Sequence, residues 1–375
     1  MLTFFSNLLN SHIRRNTPFL MLLLMATFLI TTSALAGDTP PGLLDKGHPK
    51  VKEVMKVQDE ATDSLMSYED ILGTATGVDE NGEVAVVVYV NQHGKDMSEI
   101  VRALPKKIKG VPVAVEITEP FRALKATAKG GGISHMAKQI PPIQLGTSGG
   151  WDYDLANGYC CGGTLGSLIQ IGGTQYILSN YHVFTSDIIP GGNGRVAATG
   201  DPIIQPGLID VGCNANNAQS IASLVATRSL PDSNVDAAIA QVISGMVRTD
   251  GAILEIGTIS SQPVGASLRQ AVKKSGRTTG LTRSTVSGLN ATVSVLYDNE
   301  CAGGQAFTKV FTGQIVIKNT GSKFIAAGDS GSLMVEDVKS KPHPVGLLYA
   351  GSSTSAIANP IGDVLAIFGA TMVGQ

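Results

Sequence analysis

The decapeptide Ala326-Ala327-Gly328-Asp329-Ser330-Gly331-Ser332-Leu333-Met334-Val335 constrains this chain more than any other stretch. A serine between two glycines, with an acid before it and an apolar run after it, predicts a tight turn that feeds a buried strand. Glycine suits that turn because it adopts backbone angles that side chains resist and lets a carbonyl come close to the main chain. The amides of Gly328 and Ser330 would then point together as an oxyanion hole. Gly-Asp-Ser-Gly is also ordinary turn chemistry. It gains meaning only if the chain supplies a base, an acid to orient that base, and a core to hold both.

The core is available. Of 375 residues 43% are hydrophobic, 15% are charged and 44 are glycine, which predicts short buried strands punctuated by turns and hence an all-β protein. A formal net charge of -2 leaves no electrostatic footprint for nucleic acid. The four cysteines are Cys160, Cys161, Cys213 and Cys301. In an oxidising compartment they allow one or two disulfides with three possible full pairings, and adjacent Cys160 and Cys161 are not expected to bond to each other, so that one could stay reduced. A zinc site is the competing reading; it lacks a Cys-x-x-Cys pair and a histidine cluster.

The amino-terminal end reads as a leader. Arg14-Arg15 precedes an apolar run from Phe19 to Ile30, and Ala34-Leu35-Ala36 places small residues where a signal peptidase reads, so residues 1–36 are expected to be removed before Gly37. The run is short for a bilayer span. The mature protein is therefore expected in the periplasm or outside the cell, with no stable membrane insertion after leader cleavage.

Residues 37–125 read as a small α/β unit. Val51, Val54, Met55, Val57, Ala61 and Leu65 follow an imperfect helical period, Glu83 to Val90 is a β-branched run, Met97 to Leu104 forms a short helix, and Val111 to Thr118 a strand. His93, beside Gly94, reads as a solvated loop residue. Residues 126–142, with Gly130-Gly131-Gly132 and Pro141-Pro142, read as a linker. Lys125, Lys129 and Lys138 around it would suit proteolysis, so the unit is either a propeptide or an attached accessory domain.

Residues 143–375 change to glycine-punctuated β segments. Cys161 to Ile169 runs through the turn Gly172-Gly173 into a strand that ends Ser179-Asn180-Tyr181-His182. An imidazole at a rigid strand end suits a general base. Asn234-Val235-Asp236-Ala237-Ala238-Ile239 then places an acid at the start of an apolar strand, where desolvation costs several kcal/mol unless a hydrogen bond offsets it. His182 would supply that bond and be held in the tautomer that leaves its other nitrogen free. Asp232, beside Pro231, is the better residue for a turn, and Asp210 is a weaker rival for the acid.

Cys-Gly-Gly-Thr-Leu, then Ser-Asn-Tyr-His, Asn-Val-Asp-Ala-Ala and Gly-Asp-Ser-Gly, in that order, resemble the chymotrypsin-like serine proteases. The run Ser275-Gly276-Arg277-Thr278-Thr279-Gly280 is similar to the bacterial secreted branch that includes alpha-lytic protease, whose members are made with a propeptide. The resemblance covers Ile143 to Gly369. It implies a double six-stranded antiparallel β-barrel, with Ser330 as nucleophile, His182 as base and Asp236 orienting it, and an oxyanion hole from Gly328 and Ser330. It implies a polypeptide substrate, no cofactor and no metal, and we expect a monomer.

Several positions depart from that family. Phe324, six before the nucleophile, stands where the family lines the floor of its primary pocket, which implies a preference for small or medium apolar side chains. Tyr349-Ala350-Gly351 matches the strand that pairs with substrate backbone, but Tyr349 replaces a serine that helps bind the acid, so Asp236 needs another second partner. Ser332 stands where a glycine is common. No Ile-Val-Gly-Gly start follows a basic residue, so Lys274 is the candidate to pair with Asp329, against the reading of a solvated loop lysine. The rival functions are an idle protease-fold binding module and an esterase using the same three groups.

Overall fold

The computed structural model describes residues 42–123, 135–156, 159–185, 195–225, 230–297 and 306–375. The expected leader at 1–36, the first part of the linker and Cys301 lie outside them. Residues Thr39–Gln375 form one compact unit.

The amino-terminal part runs α1 (Pro49–Met66), β1 (Ile71–Val78), β2 (Val84–Asn91), α2 (Met97–Ala103), β3 (Val111–Thr118) and β4 (Phe121–Ala123). Helix α1 begins where the sequence permits: Pro49 occupies its first turn, and the His48 side chain accepts the Lys50 amide. Its apolar stripe, Val51, Val54, Val57 and Leu65, is buried. Strand β1 was not legible in the sequence. It pairs antiparallel with β2, which in turn lies parallel to β3.

Two closed barrels follow. The first comprises β5 (Thr147–Trp151), β6 (Gly163–Leu165), β7 (Ser167–Ile171), β8 (Thr174–Ser179), β9 (Pro202–Gln205), β10 (Gln219–Leu224) and β11 (Ala238–Val242), with the short helix α3 (Tyr181–Phe184) after β8. Its order is β5-β9-β10-β11-β8-β7, and β6, which continues into β7 past Gly166, pairs back onto β5 to close the ring. The second comprises β12 (Ala271–Gly276), β13 (Gly280–Tyr297), β14 (Phe307–Lys318), β15 (Leu333–Glu336), β16 (Pro344–Gly351) and β17 (Ser355–Pro360), with helix α4 (Ile361–Phe368) after it. Its order is β12-β15-β16-β17-β14-β13, closed by the β12–β13 pairing. The chain thus has the double six-stranded antiparallel barrel of the chymotrypsin-like fold, preceded by a small α/β part.

The α/β part is not set apart from the barrels. Strand β13, 18 residues long, pairs with β12 at its start and then with β14 and β1. One buried cluster therefore joins Val51 and Val54 of α1 and Val86 and Val88 of β2 to Val286, Leu289, Ile315 and Met334 of the second barrel. Nor do residues 135–142 hang free: Lys138 donates to the Ala218 carbonyl at 2.9 Å, and the Gln139 side chain bonds to Gln144 and Thr147. The expected boundary at 126–142 does not divide two cores.

Cys160 and Cys213 form a disulfide, and Cys161 is disulfide-bonded too. The expectation that Cys160 or Cys161 stays reduced is corrected: no described cysteine is free. Among the described residues no helix is long and apolar enough to cross a membrane, and no His, Cys, Asp and Glu group is placed to hold a metal.

Candidate active site

The strand expected to end at His182 stops at Ser179, and His182 lies three residues further on, in α3, where Asn180 starts the helical turn. The ring is buried between the barrels. Its Nδ1 meets Asp236 Oδ2 at 2.5 Å, and its amide donates to Asp236 Oδ1 at 3.3 Å. Asp236 is fully buried, so its charge must be offset locally. Its main chain is fixed separately: the Asn359 side chain accepts its amide at 2.9 Å, and its carbonyl accepts from Asn180 Nδ2 at 2.7 Å.

The second partner of Asp236 is a residue that the sequence did not reveal. Tyr297, at the end of β13, donates its hydroxyl to Asp236 Oδ2 at 2.8 Å. Its ring lies edge-on to His182 at 5.9 Å and stacks on Phe307 at 4.9 Å. Burial and the Asp236 charge raise the Tyr297 phenol well above its ordinary pKa, so it remains a donor across the neutral range. Asp210, the rival acid, is committed elsewhere: Arg277 donates to both its oxygens, at 2.7 and 2.6 Å, and Ser148 Oγ donates at 2.5 Å.

Ser330 lies on the turn before β15. Gly328 and Gly331 have φ of +96° and +92°, and a Cβ at Gly331 would fall inside van der Waals contact of Ser179 Oγ and Thr164 O. Only glycine fits there. The first barrel clamps this turn of the second, Thr164 donating its amide to Ser330 O at 2.8 Å and its hydroxyl to Gly328 O at 2.9 Å. The acid before Ser330 is held firmly. Asp329 accepts amides from Thr278, Thr279 and Ala326 at 2.9, 3.1 and 3.0 Å and the Thr279 hydroxyl at 2.7 Å. Lys274, fully buried on β12, reaches Asp329 at 3.2 Å, which removes the reading of a solvated loop lysine.

The Ser330 hydroxyl donates to the Tyr349 carbonyl at 3.1 Å. Among the described residues His182 Nε2 is buried with no hydrogen-bond partner, so the Ser330 hydroxyl and the His182 ring are not bonded to one another. The groove beside them is filled by the chain itself. Strand β4 pairs antiparallel with β16, Ala123 opposite Ala350 and Arg122 opposite Gly351, and parallel with β13, Phe121 opposite Val295. Ser330 is completely buried.

Phe324 is a correction to the sequence reading. Asn319 Oδ1 accepts the amides of Phe324 and Ile325, each at 3.0 Å, and Thr282 Oγ1 donates to the Phe324 carbonyl at 2.7 Å. Held that way, the ring enters the core cluster with Met334 and Ile317. A cavity of about 420 Å³ beside the nucleophile turn is lined instead by Ile325, Ala326, Ala327, Gly351 and Arg122. Tyr349 contributes only its carbonyl to the groove, since its ring is buried against Phe311 at 5.0 Å.

Fold and site together define a protein of serine-protease fold. The family model of the Nal1 C-terminal domain matches residues 232–358, a span that contains Asp236 and Ser330 but not His182. No curated protein matches. Among solved structures, a glutamic-acid-specific serine protease is similar at 19% identity over 61% of this chain and 100% of its own, with a TM-score of 0.39. Thermobifida fusca protease A is similar at 17% identity over 62% and 99%, TM-score 0.40. The alpha-lytic protease homologue N4 gives 18% over 61% and 98%, TM-score 0.36.

Proposed function

We propose that this chain is an exported serine endopeptidase held latent by its own strand β4. The observation that carries the reading is a stretch of polypeptide already paired antiparallel with Ala350-Gly351 beside Ser330. A groove that binds extended backbone through main-chain pairing suits a peptide substrate better than an isolated ester. The disulfides support an oxidising compartment.

In the mechanism that follows, displacement of β4 lets the Ser330 hydroxyl turn from the Tyr349 carbonyl to His182 Nε2. The oxygen attacks the scissile carbonyl as Nε2 takes its proton, and the Gly328 and Ser330 amides receive the oxyanion. Nε2 then returns the proton to the leaving amine. Water, deprotonated in turn by His182, releases the acyl group and restores Ser330. Asp236, tied by Tyr297, holds the ring throughout.

Phe121 anchors β4: it is fully buried and lies edge-on to Tyr89 at 5.5 Å. Phe121→Ser is expected to raise the rate of Ser330 labelling by a fluorophosphonate by about tenfold or more, ~1.4 kcal/mol in the open–closed balance. Labelling that is absent in both proteins would favour the binding-module reading, which the Ser330–Tyr349 bond also suits. In the opened protein, rates on matched peptide and ester substrates separate endopeptidase from esterase.

Tyr297→Phe removes one donor from a buried carboxylate, a loss of about 1.5–3 kcal/mol. Steady-state kinetics in the Phe121→Ser background should show kcat down by roughly 10- to 100-fold with KM little changed.

A further inference from the structure

Helices α1 and α2 and the adjoining ends of β1 and β2 enclose a cavity of about 850 Å³, inside the ~300–1,000 Å³ range of small-ligand sites. Its walls are apolar where the helices face each other: Val57, Ala61, Leu65, Ile71, Ile100 and Leu104 line it. Its rim is acidic. Glu60 pairs with Lys109, whereas Glu69, Asp70, Asp96 and Glu99 stand against a single lysine, Lys95. Tyr68 adds a ring that is 53% exposed, a face that attracts cations. Nothing in the proposed reaction uses this space.

We propose that the cavity binds a small amphiphile, an apolar body carrying a cationic head. Apolar contact accounts for the body, and the surplus of carboxylates selects the sign of the head.

The site is placed to act on the groove. His93 lines both this cavity and the smaller one beside the nucleophile turn. Next to it, the Gln92 amide donates to Thr118 O at 2.8 Å and its side chain to Glu119 Oε1 at 3.1 Å. Thr118, Glu119 and Pro120 lead directly into β4. A ligand that shifts the loop at residues 91–96 therefore pulls on β4, the strand paired with Ala350-Gly351.

The test is titration calorimetry on the full chain with decyltrimethylammonium below its micellar concentration, with decyl sulfate as counter-probe. Saturable one-to-one binding of the cation is expected, with the sulfate weaker by about tenfold or more. Ser64→Trp and Ala103→Trp, both at exposed positions on the cavity wall, should each weaken it by about tenfold without moving the unfolding midpoint. Equal affinity for the two head groups, or binding untouched by both tryptophans, overturns the site. Bound cation should also speed amide exchange at residues 121–123 by about threefold or more. Unchanged exchange overturns the link to the groove. Neither readout depends on Ser330 being catalytic.

Discussion

Ser330→Ala is expected to abolish fluorophosphonate labelling and to lower peptide hydrolysis on the order of a millionfold in the opened Phe121→Ser background. The size follows from what the hydroxyl does. Without it, the base formed by His182 and Asp236 has no proton to take, and the groove and oxyanion amides alone give only a weak residual rate. Folding should survive, because the side chain makes one hydrogen bond, to Tyr349 O, worth about 1 kcal/mol. Turnover by the alanine protein at more than a thousandth of the parent rate would assign the nucleophile elsewhere.

The residues of this proposal were readable as candidates because the roles proposed for them require local marks. A nucleophile turn needs glycines at fixed places, an acid at a strand start needs a partner, and Lys274 lies in the same short run as Arg277. Other features carry no local mark. Tyr297 ends a run, Ala291 to Tyr297, that reads as any half-buried strand. Its meaning arises because a strand of that length brings the phenol to Asp236, 61 residues away in sequence. Strand β4 is three residues after a proline, too short for any period, and is fixed by backbone pairing on both edges.

Strand β1 was missed for a different reason. Ile71 to Val78 contains two glycines, which weaken a strand pattern. The glycines are there because β1 is sandwiched: a Cβ at Gly73 would meet the Thr292 carbonyl, and one at Gly77 would meet Val87 and the Ser287 carbonyl. Alternating apolar residues tell which face of a strand is buried, but not which sheet it joins. The shared core of the α/β part and second barrel was invisible for that reason. Phe324 shows the converse error, since a position defined by its distance from the nucleophile does not fix where the side chain points.

Lys274→Met should lower unfolding free energy by about 3–5 kcal/mol, read as a lower denaturant midpoint with unchanged slope. Both members of the pair are fully buried, so removing the ammonium leaves the Asp329 carboxylate in an apolar setting with only its amide and hydroxyl donors. The effect should reach the chemistry, because Asp329 ties the Thr278-Thr279 run to the turn that carries Ser330. Burial pushes the Lys274 pKa below the ordinary lysine value, against the attraction of Asp329. The native state therefore sheds this proton before the unfolded chain does. Between the lowered and ordinary values the unfolded chain binds more protons, so the contribution of Lys274 to stability rises with pH. That alkaline slope should vanish in Lys274→Met. The double variant Lys274→Met/Asp329→Asn should recover part of the lost stability, because no charge is left buried while the amide oxygen still accepts from the Thr278 and Thr279 amides. A double variant no more stable than Lys274→Met would show that the ion pair is not what holds this turn.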